Sequence, residues 1–398
     1  MSAVHSASQR RHLHLSSFLF LILGFHVGVW AVQLGSLSAA LHLDPGELGT
    51  ALSGAAAGGI VTLFLGGRIA DRFGRRTVLL VGFGVTGLAF AALATARTFP
   101  EVLAAVILYG LAISFVDLGA NAVGSDFESA YDTQALTGLQ AGFSLGALLG
   151  ALSSALVLAA GLDYRLVYLA LGIVFTSTAI VCSRASLPVR RTTTTDAPRE
   201  PVRSVRTSPA VLFAAVLLLI CFFGDGALEG FVAVFLRQAL DSGVLLSGVG
   251  IALFHLASFL GRTISSRAQA RVPPRALMIT AGLLAAVGMT AALLSTSTWG
   301  SIGGMLVVGF AISPVVPTAL SLAGRSAPNH AGQAVAFTTA VGYTSFLISP
   351  IIVGTIATTA GLRAGLAVVV ATALGIALLG LRWPRSDRPL SPQAGSAA

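Results

Sequence analysis

The stretch GGRIADRFGRR, from Gly66 to Arg76, places four arginines and one aspartate within eleven residues. It stands between two long apolar runs, in a chain that is 55% hydrophobic and only 10% charged. Soluble proteins carry about a quarter of their residues as charged side chains, and the mean hydropathy of this chain is +0.88. The basic stretch is therefore predicted to be a polar loop between two membrane-spanning helices.

The rest of the chain repeats the pattern of a transmembrane helix, which needs about 20 consecutive apolar residues. The runs lack the alternating pattern, about ten residues long, of a membrane β-strand. The fold class is therefore predicted to be an all-α polytopic membrane protein. Twelve spans are predicted, at 17–41, 49–70, 77–96, 101–124, 135–160, 164–183, 209–237, 244–266, 275–294, 299–323, 331–359 and 363–382.

A polar segment at 184–208, rich in arginine, threonine and proline, interrupts the apolar pattern near the midpoint. It is predicted to link two six-helix bundles, 17–183 and 209–382, with cytoplasmic tails at 1–16 and 383–398. The stretch GRTISSR (Gly261–Arg267) echoes GGRIADR 195 residues later, at the equivalent place in the second half. This echo favours two bundles related by pseudo-symmetry.

The net charge of +9 follows membrane topology rather than nucleic-acid binding. All 24 basic residues are arginines, and twelve spans with both termini in the cytoplasm place 20 of them on the cytoplasmic side. This is the asymmetry of the positive-inside rule. A multi-pass protein of the cytoplasmic (inner) membrane is predicted, with anionic lipid headgroups as partners and no nucleic acid.

The opening stretch reads G-x-x-x-D-R-x-G-R-R, in which glycine allows a tight reversal and arginines anchor a cytoplasmic loop. Its aspartate can pair with a neighbouring arginine or cap a helix. The pattern resembles the signature between the second and third helices of major facilitator superfamily transporters. The resemblance implies twelve transmembrane helices in two pseudo-symmetric six-helix bundles, and a latch that stabilises the outward-open state. The matching residues are Gly67, Asp71, Arg72, Gly74, Arg75 and Arg76.

Acidic side chains inside membrane spans are costly, at about 2.5–3.5 kcal/mol each, and mark functional sites. Asp117 shares one face of the fourth span with Asn121. The pair resembles the Glu-x-x-x-Asn element of the fucose permease-like branch of sugar–proton symporters, where the acid is implicated in proton coupling. This chain has aspartate for glutamate and lacks the proline that often follows the asparagine. A buried structural hydrogen bond is the alternative.

Asp225 and Glu229 lie four residues apart on one face of the seventh span. Two carboxylates so close in a low dielectric do not both ionise cheaply, so the pair is predicted to carry a proton. If both instead face a wide aqueous cavity, they can ionise and bind a cationic solute. A third reading pairs one of them with an arginine at a helix end.

Polar and aromatic side chains on the apolar spans are predicted to bind the solute. Such groups suit a hydroxylated or amide-bearing ligand, because tryptophan stacks and glutamine both donates and accepts hydrogen bonds. Hydrogen bonds between helices are the alternative role. These residues are His26, Trp30, Gln33, Asn121, Gln140, His255 and Tyr343.

Three glycines recur every four residues at Gly142, Gly146 and Gly150. The first two belong to a G-x-S-x-G sequence, but a hydrolase elbow needs a strand before its serine, so close helix packing is predicted. Pro314 and Pro317 are predicted to kink the tenth span. Neither a phosphate-binding loop nor metal-ligand spacing occurs in the sequence, so no cofactor, no metal and no enzymatic activity are expected.

These patterns together predict a secondary active transporter that works by alternating access. It is predicted to be a monomer, to be coupled to protons and to move a small polar organic solute, sugar-like or a related metabolite. Proton-driven efflux of a drug or natural product is one alternative. A membrane sensor that keeps the scaffold without transport is another.

Overall fold

The computed structural model describes residues 2–133, 135–188, 208–268, 271–327 and 331–384. Within these ranges the chain is helical, with turns between the helices. Thirteen helices follow in order: α1 Ser2–Ala40, α2 Pro45–Thr95, α3 Phe99–Tyr131, α4 Leu136–Ala159, α5 Tyr164–Arg184, α6 Pro209–Gln238, α7 Val244–Ala268, α8 Pro274–Leu294, α9 Thr298–Ile312, α10 Val315–Ser326, α11 Ala331–Tyr343, α12 Ser345–Ala360 and α13 Leu362–Leu381.

Eleven stretches of helix in the described residues are long and apolar enough to cross a membrane. The predicted span 49–70 lies in α2 and runs into residues outside that search. The predicted helical membrane class is confirmed. The first helix begins earlier than the predicted span at 17, because 1–16 contains neither glycine nor proline to stop it.

Local sequence signals explain several helix ends. Asp44 accepts a hydrogen bond from the Glu47 backbone N–H at 2.8 Å, and the Glu47 carboxylate accepts one from the Asp44 N–H at 3.1 Å. This reciprocal capping box starts α2. Asp163 caps α5 by accepting from the Arg165 N–H at 2.9 Å. At Pro314 the tenth predicted span breaks into α9 and α10, which confirms the kink predicted there, whereas Pro317 lies within the first turn of α10.

The chain divides into two compact units, and each has its own apolar core. The first unit comprises Met1–Ala197 with Gly243–Ala252, and the second comprises Pro198–Ser242 with Leu253–Ala398. Aliphatic and aromatic side chains from α1, α2, α3 and α5 fill most of the first core. Residues of α6, α8, α10 and α13 fill the second.

Large apolar side chains also cover the outside of both units. Leu88 is 65% exposed, Ile173 68% and Val287 67%, all within membrane-length helices. Water would not stabilise so much exposed apolar surface, whereas lipid chains match it. The exposed surface therefore agrees with a multi-pass membrane protein.

The glycines of α4 allow an unusually close approach to α1. A Cβ atom added at Gly146 would lie 2.1 Å from the Leu21 carbonyl oxygen, and one at Gly150 2.0 Å from that of Phe25. Gly24 and Gly28 make the same kind of approach from α1. The predicted role in helix packing is therefore confirmed for Gly146 and Gly150. Gly142 has more room, because its nearest neighbour atom lies 4.0 Å away.

Candidate functional site

The first unit places the predicted α1 residues against α3 and α4. His26 is buried, and its Nε2 lies 3.0 Å from the Tyr109 hydroxyl oxygen. Trp30 stacks on the ring of Tyr109, with centroids 4.5 Å apart and planes tilted by 14°. His26 thus orients Tyr109, and Tyr109 supports the half-buried indole of Trp30. Tyr109 was not among the predicted site residues, although it is an isolated hydroxyl group in an apolar span.

Gln33, the third residue of that face, lies in the contact between α1 and α4. Its side chain is fully buried, and Nε2 donates to the Ser154 hydroxyl at 2.9 Å. This is the hydrogen bond between helices that the sequence left as an alternative. Gln140, near the start of α4, is instead exposed. The two glutamines therefore differ in access, and solute binding by either stays a prediction.

Asp117 and Asn121 form a local pair on α3. The Asn121 side-chain amide donates to the Asp117 carboxylate Oδ1 and to its backbone carbonyl, each at 2.9 Å. Both side chains are half-buried. The amide thus holds the carboxylate in one orientation, while the second oxygen, Oδ2, takes no part in this contact. The pairing agrees with the shared face predicted from the four-residue spacing.

The second unit brings an arginine to the two acids of α6. Asp225 is half-buried and Glu229 is exposed, and the charges of the two carboxylates interact. The guanidinium of Arg262, on α7, interacts electrostatically with both. The acid pair is therefore part of a three-charge cluster, Asp225–Glu229–Arg262. Because unlike charges stabilise each other strongly at low dielectric, Arg262 offsets part of the repulsion within the pair.

Arg262 is one of the 20 arginines predicted from the sequence to lie on the cytoplasmic side. A signal for a different role was present, since His255, Ser258 and Arg262 follow i, i+3, i+7 spacing on one helix face. The charge of Arg262 also acts on His255, whose ring packs edge-on against Phe254 at 5.7 Å. His255 thus belongs to the surroundings of the charge cluster.

Tyr343 ends α11, where the helix breaks before Ser345. Its ring stacks on Phe222 of α6, with centroids 5.5 Å apart and planes tilted by 19°. Just beyond the break, the Ser349 hydroxyl donates to the Phe223 carbonyl at 2.7 Å. These contacts hold the half-buried Tyr343 against the helix that carries Asp225 and Glu229.

The predicted latch lies at the bend in α2. Gly74 has φ 82° and ψ 161°, a backbone conformation that only glycine adopts readily, and this bend reverses the chain. Arg75 Nε lies 3.3 Å from Asp126 Oδ2 near the end of α3. Arg76 donates to the Ala185 carbonyl at 2.7 Å, beyond the end of α5. Asp126 was not among the predicted site residues, because it lies on the opposite helix face from Asp117.

The bend is thus tied to the ends of two other helices of the first unit. Arg72 lies over the ring of Phe73, with its guanidinium carbon 5.4 Å from the centroid. Gly67 and Asp71, which the signature also includes, lie outside the residues whose side chains the structure describes. The pairing predicted for Asp71 therefore stays a prediction.

The residues that the structure describes hold no group of three or more His, Cys, Asp or Glu arranged to bind a metal. Cys182 and Cys221 are both free and buried, as small apolar helix residues are.

Comparisons with known proteins agree with this architecture. The chain is 25% identical over 338 residues to an uncharacterized MFS-type transporter of Yersinia pestis, covering 85% of this chain and 87% of that protein. It is 24% identical over 314 residues to the 3-(3-hydroxy-phenyl)propionate transporter of Escherichia coli (strain K12), covering 77% of this chain and 76% of that protein.

Among solved structures, the nucleoside transporter NupG (D323A mutant) superposes with a TM-score of 0.77 at 13% identity, covering 94% of this chain and 99% of that one. The family model described as Major Facilitator Superfamily matches residues 15–350 and 230–398. Helical architecture, relatives and family match lead to one assignment, a transport protein and not an enzyme. The chain belongs to the major facilitator superfamily.

Proposed function

We propose that this chain is a proton-coupled secondary transporter that moves a small polar organic solute across the cytoplasmic membrane by alternating access. The observation that carries the proposal is the set of acids kept within membrane-length helices. Each would cost about 2.5–3.5 kcal/mol to insert, and each has a polar or charged partner in its own unit. Sites that bind and release protons require such groups.

A single proton is enough to neutralise the three-charge cluster. Asp225, Glu229 and Arg262 carry a formal charge of −1 together when both acids are ionised, and one proton brings the sum to zero. A neutral cluster crosses a low-dielectric region at far lower cost than a charged one. Arg262 keeps one carboxylate ionised, and the other exchanges the proton. In the first unit, Asp117 is the second candidate carrier, oriented by Asn121.

Solute contacts are proposed for the aromatic and amide groups of each unit that are half-buried or exposed. In the first unit Trp30 supplies a ring face, and Asn121 and Gln140 supply hydrogen bonds. In the second unit Tyr343 supplies a ring face. Named relatives provide the first solutes to test, since one is a transporter of a hydroxyphenyl propionate and a structural neighbour transports nucleosides. Both classes combine a planar ring with polar groups, which matches the aromatic and amide composition of the predicted site.

The arginine distribution supports the proposed membrane placement. With both termini in the cytoplasm, the bend at Gly74 and its arginines face the cytoplasm as well. In that orientation Arg75 and Arg76 fix the bend to the ends of α3 and α5. The latch is proposed to stabilise the outward-open state, with the protein acting as a monomer among anionic lipids.

The decisive experiment compares acid variants in proteoliposomes. Asp117→Asn is expected to abolish solute accumulation driven by a pH gradient while leaving solute exchange between equal pools intact. Asp241→Asn is the matched control, because Asp241 lies in the turn after α6 with φ 49°, a conformation that asparagine tolerates. Unchanged uphill transport in Asp117→Asn would remove Asp117 from coupling.

The same preparation separates the alternatives. If the solute accumulates in the compartment into which the protons flow, the protein is a symporter. If the solute accumulates in the compartment from which the protons flow, the protein is an antiporter that acts in efflux. A ligand that raises the unfolding temperature but never exchanges across the membrane indicates a sensor.

A further inference from the structure

The surface of the first unit carries a groove where α2 ends and α3 begins, away from the latch and from Asp117. Its volume is about 580 Å³. Thr95, Arg97 and Glu101 line one end, and all three side chains are exposed. Ala92 and Ala104 line the remainder, together with Ala105 and Leu108. The lining is thus polar at the helix ends and apolar along the helices.

The apolar part of the groove is formed by two helices that can span a membrane. Its residues belong to Arg72–Thr95 and Phe99–Tyr131, both long and apolar enough to span a membrane. The neighbouring Leu88 and Ile107 are 65% and 37% exposed, as expected of a surface that faces acyl chains. From Glu101 to Leu108 the groove follows α3 for about 10 Å at 1.5 Å per residue. An acyl chain fits this surface, whereas water gains too few hydrogen bonds there.

The polar end carries two opposite charges that interact with each other, Arg97 in the loop before α3 and Glu101 in the first turn of α3. The Glu101 carboxylate accepts a hydrogen bond from the Arg97 backbone N–H at 2.7 Å, which fixes the acid beside the loop. A guanidinium binds a phosphate by two parallel hydrogen bonds. A carboxylate accepts hydrogen bonds from a primary ammonium group, which has three donors.

We propose that this groove binds a phospholipid whose headgroup joins a phosphate to a primary ammonium group, as in phosphatidylethanolamine. Arg97 binds the phosphate, Glu101 binds the ammonium, and one acyl chain lies along Ala92 and Ala104. A quaternary ammonium headgroup lacks the donors for Glu101. An anionic headgroup without an amine can bind Arg97 but offers no cation to the Glu101 carboxylate. The site is independent of the proposed transport cycle.

The test titrates purified, delipidated protein with three lipids of identical acyl chains and counts bound lipids by native mass spectrometry. Phosphatidylethanolamine is expected to bind about fivefold more tightly than phosphatidylcholine or phosphatidylglycerol, the worth of one solvent-exposed ion pair. Glu101→Gln keeps an acceptor for the Arg97 N–H and is expected to abolish the preference over phosphatidylcholine. Arg97→Gln is expected to weaken binding of all three lipids.

Two further variants test the groove itself. Ala104→Leu fills the apolar part and is expected to weaken phosphatidylethanolamine binding about tenfold. Ala371→Leu, at an exposed alanine of α13, makes the same change elsewhere and is expected to have no effect. Thermal unfolding confirms that each variant is folded.

Equal binding of the three lipids overturns the proposal, as does selective binding that survives Ala104→Leu. A third contrary result comes from competition. If water-soluble phosphoethanolamine displaces the lipid at comparable concentration, the site recognises a free headgroup, and the apolar groove plays no part.

Discussion

Three glycines of α4, Gly142, Gly146 and Gly150, should respond very differently to the same substitution, although their spacing is identical. An alanine Cβ at Gly146 would lie 2.1 Å from the Leu21 carbonyl oxygen and 2.8 Å from the Phe25 backbone nitrogen. At Gly142 the nearest atom, the Ser17 carbonyl oxygen, lies 4.0 Å away. Real Cβ contacts are essentially never shorter than 3.0 Å, so Gly146→Ala forces α1 and α4 apart by about 1 Å, in a densely packed interior.

The expected cost follows from two opposing effects. Alanine gains up to about 1 kcal/mol over glycine in a helix. Overpacking costs about 1–3 kcal/mol, and the upper end applies because the obstructing atoms are backbone and cannot rotate away. Gly146→Ala should therefore lower the free energy of unfolding by about 2 kcal/mol, whereas Gly142→Ala should raise it by up to about 1 kcal/mol.

The assay is thermal unfolding of the purified variants in one detergent. For a unit of roughly 200 residues, about 2 kcal/mol corresponds to a fall of about 4–8 °C in Tm. Gly150→Ala, with its Cβ 2.0 Å from the Phe25 carbonyl oxygen, should behave like Gly146→Ala. Equal Tm values for Gly142→Ala and Gly146→Ala would refute the close approach of α1 and α4.

Three further outcomes test other contacts. Tyr109→Phe removes the partner of His26 Nε2 and should lower the free energy of unfolding by about 1–3 kcal/mol. The Tyr168 hydroxyl has no hydrogen-bond partner among the described residues, so Tyr168→Phe should be near neutral in the same unfolding assay. Asp126→Asn should lower the free energy of unfolding by under about 1 kcal/mol, because the Arg75–Asp126 pair is partly exposed. A double-mutant cycle with Arg75→Gln checks this prediction. Additive effects of the two substitutions would show that the side chains do not interact. Arg262→Gln should reduce proton-driven solute accumulation in proteoliposomes about tenfold or more, and Arg262→Lys should reduce it less. Full activity of Arg262→Gln would show that Arg262 takes no part in proton coupling by the two acids.

The membrane class and the helix pattern could be predicted from the sequence because they depend on local properties. About 20 apolar residues in a row have one stable arrangement in lipid, a helix that satisfies its own backbone hydrogen bonds. Gly74 and Pro314 likewise act on the backbone where they stand, one by adopting positive φ and the other by removing a donor. The Asp117–Asn121 pair is local too, since four residues make one helical turn.

Partners far apart in the chain depended on the tertiary structure. Equal spacing made Gly142, Gly146 and Gly150 look alike, yet the path of α1 past α4 brings backbone against only the last two. Arg262 looked like one more topological arginine until the packing of the second unit placed its charge near Asp225 and Glu229. Periodicity determines which face of a helix a residue occupies, whereas helix packing alone decides what that face meets.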